Sequence, residues 1–189
     1  MYLFFDTETT GLPKNYKAPA SDVNNWPRMV QLAWQVYNIS GEMIESIDYI
    51  IKPEGYIIPK EVSEIHGITT ERALAEGQDL FTVLDQFCQQ IEKAQFLVAH
   101  NISFDEKIVG AEFVRKNIQN QLLKKNRICT MNSSVNYCRI PGNYGYKWPK
   151  LSELYRILFK EDFEDAHNAA ADIKATAKCF WRLKELGVI

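Results

Sequence analysis

Residues 4–12 read FFDTETTGL, an apolar run that passes directly into two carboxylates, Asp6 and Glu8, separated by one residue. With Tyr2 and Leu3, the run is typical of a central strand that is buried on both faces. Alternate strand residues project to the same face, so both carboxylates can point to one spot near the end of this strand. Like charges this close need solvent or a cation between them. On these residues alone, a polar turn explains the pattern at least as well as a metal site does.

The remaining chain supplies further strands and then helices. Residues 29–38 and 43–53, joined by the turn ISGE, predict a hairpin that follows the first strand. After the hairpin, the patterns predict helices at 79–94, 103–117, 151–159 and 166–186, and short strands at 96–99 and 127–130. This order predicts an α/β fold: a single three-layer domain over residues 1–189, with a mixed central sheet of about five strands flanked by helices.

The amino-acid composition is that of an ordinary globular protein, and it excludes few functions. The 189 residues are 46% hydrophobic and 24% charged, and they contain no apolar run long enough for a membrane span. The four cysteines show neither a CxxC pair nor zinc-type spacing, which favours reduced thiols in a cytoplasmic protein. The net charge of −2 gives no argument for nucleic-acid binding, although bound metal ions can replace basic side chains at phosphates.

A third carboxylate, Asp105, lies in HNISFDE (100–106). Ser103 and Glu106 have the spacing of a capping box, and a helix dipole favours Asp105 in the first turn, so helix capping alone accounts for these residues. The position of Asp105 adds a second interpretation. It follows the predicted strand 96–99 at its carboxyl end, where open α/β sheets tend to bind their ligands.

A fourth carboxylate, Asp172, lies in HNAAAD (167–172) on an otherwise apolar face of the last predicted helix. A carboxylate there should be paired or metal-bound, unless the helix leaves it in solvent. His167 precedes it by five residues, about 140° around an ideal helix, so the two cannot share a direction in regular helix. We therefore expect His167 at or before the first turn. Its ordinary pKa near 6.5 suits a general base.

FDTETTGL, HNISFD and HNAAAD, in this order, resemble the three motifs of the DEDDh 3′–5′ exonuclease superfamily. IHGIT (65–69) also looks like that group. The likeness is greatest to the proofreading (epsilon) subunit of bacterial DNA polymerase III and its stand-alone relatives, and it extends from residue 4 to residue 172. The resemblance implies an RNase H-like fold and a 3′–5′ exonuclease that releases nucleoside 5′-monophosphates from single-stranded or mismatched DNA.

The resemblance also implies the roles of individual residues. The catalytic, metal-binding acids would be Asp6, Glu8, Asp105 and Asp172, with His167 as general base. Hard oxygen ligands select Mg²⁺ or Mn²⁺, and two such ions can stabilise the attacking and leaving oxygens of an in-line displacement. Contacts to the terminal nucleotide would fall on Thr9, Thr10, Gly11, Leu12, His66, Asn101 and Phe104.

Alternatives remain open within and beyond this class. An RNA-trimming enzyme similar to oligoribonuclease or ribonuclease T would carry the same motifs, because the 2′-hydroxyl contacts that separate RNA from DNA are not readable here. A catalytically silent nucleic-acid-binding module has no need of all five catalytic residues, and a Mg²⁺-dependent phosphatase has no need of TTGL or IHGIT. We expect a stand-alone exonuclease or the catalytic domain of a longer protein, with association with a polymerase as a further option.

RIPGNYGYKWPK (139–150) combines basic residues, glycines and aromatic rings. Tyr144, Tyr146 and Trp148 could stack on bases while the basic residues meet phosphates. Packing of these rings on the core is the alternative, and on sequence alone we favour it.

Overall fold

The computed structural model describes residues 1–163 and 168–189. Its central sheet has five strands in the order β3-β2-β1-β4-β5. The strands are β1 (Tyr2–Thr9), β2 (Met29–Tyr37), β3 (Met43–Ile50), β4 (Phe96–Ala99) and β5 (Asn126–Cys129). β2 pairs antiparallel with β1 and β3, whereas β4 pairs parallel with β1 and β5. The predicted mixed sheet of five strands is confirmed.

Eight helices and a small second sheet complete the described chain. The helices are α1 (Lys60–His66), α2 (Thr70–Glu76), α3 (Leu80–Lys93), α4 (Ile102–Arg115), α5 (Thr130–Ser133), α6 (Val135–Cys138), α7 (Leu151–Phe159) and α8 (Ala169–Glu185). The second sheet pairs β6 (Pro141–Gly142) with β7 (Gly145–Tyr146), and a 3₁₀ turn spans Leu122–Lys124. Among the described residues, no helix combines the length and the hydropathy needed to cross a membrane.

The two phenylalanines of β1 explain why the domain has three layers. Consecutive strand residues point to opposite faces. Phe4 contacts Phe180 of α8 at a ring-centroid distance of 5.1 Å, and Phe5 contacts Phe87 of α3 at 5.4 Å. All four rings are buried, and each contributes about 1.5–3 kcal/mol by leaving water. One pair of adjacent residues thus holds a helical layer on each side of the sheet, as the sequence predicted.

The starts of α4 and α8 differ from the sequence prediction for identifiable reasons. α4 begins at Ile102 behind Asn101, whose φ of 68° is the left-handed conformation that asparagine tolerates better than most residues. The predicted capping box of Ser103 and Glu106 is therefore wrong, and Glu106 instead pairs with Arg127 at 3.3 Å. α8 begins at Ala169 rather than at residue 166, because Asn168 caps its first turn.

Candidate metal centre

Three carboxylates meet on the α8 side of β1. Asp6 and Glu8 project to the same face as Phe4, which is the face that α8 covers. Asp172 lies in the first turn of α8. One carboxylate oxygen from each of these three residues lies within 4.8 Å of the other two. Strand alternation and helix packing therefore bring together two sequence motifs that are more than 160 residues apart.

Asp105 joins these acids through hydrogen bonds to Thr7 of β1. Thr7 lies between Asp6 and Glu8 and points with Phe5 towards the layer that contains α4. The Oδ1 atom of buried Asp105 accepts hydrogen bonds from the Thr7 backbone N–H (3.1 Å) and from its hydroxyl (2.8 Å). Among the described acids, Asp105 is outside the group within 4.8 Å. Its role as a direct metal ligand remains a prediction.

The four carboxylates perturb one another electrostatically. Burial raises the pKa of Asp6 well above its usual range, and the charges of Asp105, Asp172 and Glu8 add to the effect. Burial, followed by repulsion from Asp172 and Asp105, raises the pKa of Glu8 to about 8. Burial also raises the pKa of Asp105 to about 7, although the hydrogen bonds from Thr7 oppose this change. A bound cation would relieve this repulsion.

This donor set fits a hard divalent cation. Carboxylate oxygens are the ligands that Mg²⁺ and Mn²⁺ prefer, and several of them converge here on one side of a strand. The predicted general base, His167, lies outside the described residues. The described chain resumes at Asn168, whose side chain accepts the N–H groups of Ala170 and Ala171 at 3.0 and 3.3 Å.

The residues of the first motif that are predicted to contact the nucleotide form a hydrogen-bonded loop at the end of β1. The Thr9 hydroxyl donates to the Gly11 carbonyl at 2.6 Å, and Thr10 Oγ1 accepts the N–H of Arg28 at 3.0 Å. Leu12 is exposed. These bonds fix the backbone beside the metal centre and leave the Leu12 side chain open to a ligand.

Glu112 fastens the other end of this loop to α4. Its carboxylate is fully buried, and Oε1 lies 2.9 Å from Arg28 Nε and 3.0 Å from Arg115 Nη1. The same oxygen accepts the N–H of Met29 at 3.0 Å. Arg28 also lies over the ring of Tyr56, 4.5 Å from its centroid. The loop and the helix that carries Asp105 are therefore joined by one buried ion-pair group.

The other predicted nucleotide contacts lie in two places. His66, at the end of α1, is buried, and its Nδ1 accepts the N–H of Ile68 at 3.1 Å. Burial lowers the pKa of His66, while the nearby backbone of Thr9 opposes this change. Asn101 and Phe104 instead line a groove of about 480 Å³, of which His66 is not a lining residue. The predicted contacts of IHGIT and of the second motif thus lie in separate parts of the surroundings of the site.

Two polar residues that the sequence analysis did not single out support the site. Gln31, the cross-strand partner of Glu8, is buried. Its Oε1 accepts the N–H of Ala169 at 3.3 Å, and its Nε2 donates to Asp48 at 2.7 Å. Gln31 therefore ties the sheet to the first turn of α8. A glutamine inside the apolar run MVQLAW was the available sequence signal.

The second residue is His100. Its Nε2 lies 3.0 Å from the Pro149 carbonyl and its Nδ1 lies 2.9 Å from the Thr130 hydroxyl. Because a carbonyl only accepts, Nε2 carries the proton, and Nδ1 accepts from Thr130. Burial lowers the pKa of His100 to about 4, so this pattern of bonds persists at neutral pH. His100 connects the second motif to the segment that follows residue 148.

A family model described as RNase_T, exonuclease, matches residues 3–180. The chain belongs to this exonuclease family. The resemblance inferred from the three motifs is confirmed, and so is the enzyme class, an exonuclease. The family depends on divalent metal ions, in agreement with the cluster of carboxylates on β1 and α8.

Individual relatives extend this finding. DNA polymerase III PolC-type proteins from Streptococcus pyogenes serotypes M18 and M2 are 36% and 35% identical over 117 residues, which is 62% of this chain and 7% of theirs. A zinc-bound complex of E. coli exonuclease I with single-stranded DNA superposes with a TM-score of 0.77 at 21% identity. A dT13 complex of the same enzyme gives 0.75 at 20%. The chain thus spans less than half of these proteins, and the likeness to the solved structures confirms the fold.

Proposed function

We propose that this chain hydrolyses phosphodiester bonds at the 3′ end of single-stranded or mismatched DNA and releases nucleoside 5′-monophosphates. The observation that carries the proposal is the convergence of Asp6, Glu8 and Asp172 within 4.8 Å, in a chain of an exonuclease family. The names of the PolC-type relatives and the single-stranded DNA bound to exonuclease I support DNA as substrate. The PolC-type names also support a place in replication or repair, and association with a polymerase.

The four acids would contribute to metal binding in two ways. Two bound divalent ions, Mg²⁺ or Mn²⁺, would stabilise charge on the attacking and leaving oxygens. Asp6, Glu8 and Asp172 would bind them directly, since their oxygens converge from strand and helix. Asp105 is fixed by Thr7 and would add negative charge next to Asp6. This arrangement is complementary to cations and repels phosphate in their absence.

Proton transfer and nucleotide binding would fall to neighbouring residues. His167 would accept the proton of the attacking water, as the spacing of the third motif implies. The hydrogen-bonded backbone at Thr9 and Thr10 and the exposed side chain of Leu12 would contact one side of the terminal nucleotide. Gly11, His66, Asn101 and Phe104 would complete its binding site.

The decisive experiment is a nuclease panel with 3′-labelled single-stranded DNA, mismatched duplex DNA and short RNA. We expect Mg²⁺-dependent shortening from the 3′ end that EDTA abolishes. Asp6→Asn and Asp172→Asn should each reduce the rate by about 100-fold or more, because each removes charge that holds the reacting groups. Asp85→Asn, which changes an exposed carboxylate on α3, is the matched control and should retain wild-type activity.

Each outcome of the panel separates the candidates. Full activity in either cluster variant, or activity in EDTA, would contradict the metal-dependent mechanism. A preference for RNA over both DNA substrates would transfer the proposal to the RNA-trimming enzymes. Absence of hydrolysis with retained binding of single strands would favour a silent binding module.

A further inference from the structure

The segment of residues 139–150, termed here the aromatic hairpin, displays its rings to solvent. Tyr144 is 104% exposed, Trp148 is 68% exposed and Tyr146 is 52% exposed. The sequence-based expectation that these rings pack on the core is therefore wrong. Isolated exposed aromatic residues are common on protein surfaces, but three within five residues form a patch.

The aromatic hairpin is held in place, despite its exposure. β6 pairs with β7, and the Lys147 N–H donates to the Ile140 carbonyl at 2.9 Å. Glu153, in the first turn of α7, binds the Lys147 ammonium at 2.5 Å and the Lys150 N–H at 2.8 Å. His100 holds the Pro149 carbonyl, as described above. A ligand that binds these rings would consequently pay little for ordering the backbone that carries them.

The groove of about 480 Å³ connects the aromatic hairpin to the second motif. Trp148 forms part of its wall together with Tyr16 and Trp26 of the loop after β1, and with Phe104 and Asn101 of the motif. Asn101 precedes Asp105 by about one helical turn, so the groove is lined by the helix start that also carries this acid. The groove therefore joins the N-terminal end of α4, the helix that carries Asp105, to the exposed ring of Trp148.

Charge along this route is complementary to phosphate. Residues 139–150 contain no acidic residue, and the side chains of Arg139 and Lys150 are exposed. Lys107 contacts two residues that line the groove: it donates to the Tyr16 carbonyl at 2.7 Å and lies 5.3 Å from the centroid of the Trp26 ring. Cations that alternate with aromatic faces are the pattern with which proteins bind single strands without reading their sequence.

We propose that the groove and the aromatic hairpin bind the single strand immediately 5′ of the terminal nucleotide, with bases stacked on Trp148 and on the tyrosines beyond it. This subsite rests on the proposed function, because it assumes that the 3′ end of the strand lies at the metal centre and that the rest of the strand runs away from it. Bases of either DNA or RNA have the faces that such rings bind. The subsite contributes affinity for longer substrates and leaves the chemistry to the carboxylates.

The test compares a substrate that reaches the groove with one that does not. Wild type, Trp148→Ala, Tyr144→Ala and the matched control Phe81→Ala, an exposed ring on α3, are assayed on a single-stranded oligonucleotide of about 12 nucleotides and on the p-nitrophenyl ester of thymidine 5′-monophosphate. Affinity is measured separately by fluorescence anisotropy of 5′-labelled DNA and RNA strands of the same length, with Ca²⁺ replacing Mg²⁺ to slow cleavage.

We expect Trp148→Ala to weaken strand affinity by about 5- to 150-fold, which is the effect of losing one stacked base. Its loss of kcat/KM on the oligonucleotide should exceed its loss on the mononucleotide ester at least about fivefold, whereas Phe81→Ala should resemble wild type on both. Trp148→Phe should recover most of the affinity, since a ring face remains. Comparable affinity for DNA and RNA would identify the bases, rather than the sugar, as the bound groups.

Unchanged strand affinity in Trp148→Ala and Tyr144→Ala would overturn the subsite and leave the patch to a protein partner. Equal losses on both substrates would also overturn it, because the rings would then support the metal centre rather than the strand. Failure of the proposed function appears differently: the wild-type protein would hydrolyse neither substrate, while Trp148-dependent strand binding could still be measured.

Discussion

Glu8→Gln is expected to stabilise the metal-free protein, although it removes a residue of the proposed site. Burial and the charges of Asp172 and Asp105 raise the pKa of Glu8 from 4.5 to about 8. The folded state therefore binds a proton that the unfolded state releases between these values. Consequently, the stability of the metal-free protein should fall as the pH rises through this window. A neutral glutamine avoids this loss.

The size of the effect follows from the shift. Each tenfold change in proton affinity corresponds to about 1.4 kcal/mol, so keeping Glu8 ionised at about pH 8 costs the folded state roughly 4 kcal/mol. Solvent and counter-ions at the open side of the cluster reduce this figure, and we expect about 2–4 kcal/mol. For a domain of 189 residues, this corresponds to a rise in Tm of at least about 4 °C.

The assay is thermal unfolding in EDTA at about pH 8 and about pH 4, with and without Mn²⁺. At the higher pH in EDTA, Glu8→Gln should melt above wild type, and at the lower pH the two should coincide. Mn²⁺ should raise the Tm of wild type more than that of the variant. The control Asp85→Asn should match wild type throughout. A Tm for Glu8→Gln at or below wild type in EDTA at the higher pH would refute the reasoning.

Three further predictions concern the supports of the site. Gln31→Ala should cost about 1–2 kcal/mol in urea unfolding, because the Ala169 N–H loses its acceptor, and it should lower kcat on the oligonucleotide severalfold. Glu112→Ala should lower the free energy of unfolding by about 3–5 kcal/mol, since it leaves two arginines without their buried partner. The pKa of His100 is lowered from 6.5 to about 4, so its contribution to stability should be present above pH 6.5 and diminish by roughly 3 kcal/mol as the pH falls to about 4. His100→Gln, which cannot titrate, should lose less stability over that range in urea titrations.

Each of these has a clear contrary result. Wild-type kcat in Gln31→Ala would show that the first turn of α8 needs no support from β2. A loss of less than about 1 kcal/mol in Glu112→Ala would mean that water satisfies both arginines. Parallel acid profiles for wild type and His100→Gln would exclude the histidine as the acid-sensitive group.

Much of the central sheet could be predicted from hydrophobic patterning. The strand β4 and the helix α7 lie at the predicted residues, because short apolar runs and a strong helical stripe mark them. The helices α1 and α2 were missed. Each has seven residues and buries little, and the small cluster around Ile58, Ile68 and Ala73 that holds them is assembled from separate segments.

The sequence could predict that Asp6 and Glu8 lie together, but not how the other acids are arranged around them. Alternation along β1 predicts that Asp6 and Glu8 share a face and that Thr7 takes the other. It cannot tell which helix covers which face. In the structure Asp105 is held by Thr7, whereas Asp172 comes from α8 and joins Asp6 and Glu8 within 4.8 Å. The exposure of the Tyr144 ring depends on where the hairpin of β6 and β7 lies relative to the core. The residue types alone do not determine that position.

The separate two-stranded sheet of the aromatic hairpin has a consequence for how the substrate range could change. β6 and β7 pair only with each other among the described strands, and their anchors lie at Lys147 and beyond. The tip, residues 141–146, can therefore vary in length and composition without altering the register of the central strands. Such variation would change how long a strand stays bound between successive cleavages. Processivity could thus evolve, or be engineered, at the tip while the bond-breaking residues stay the same.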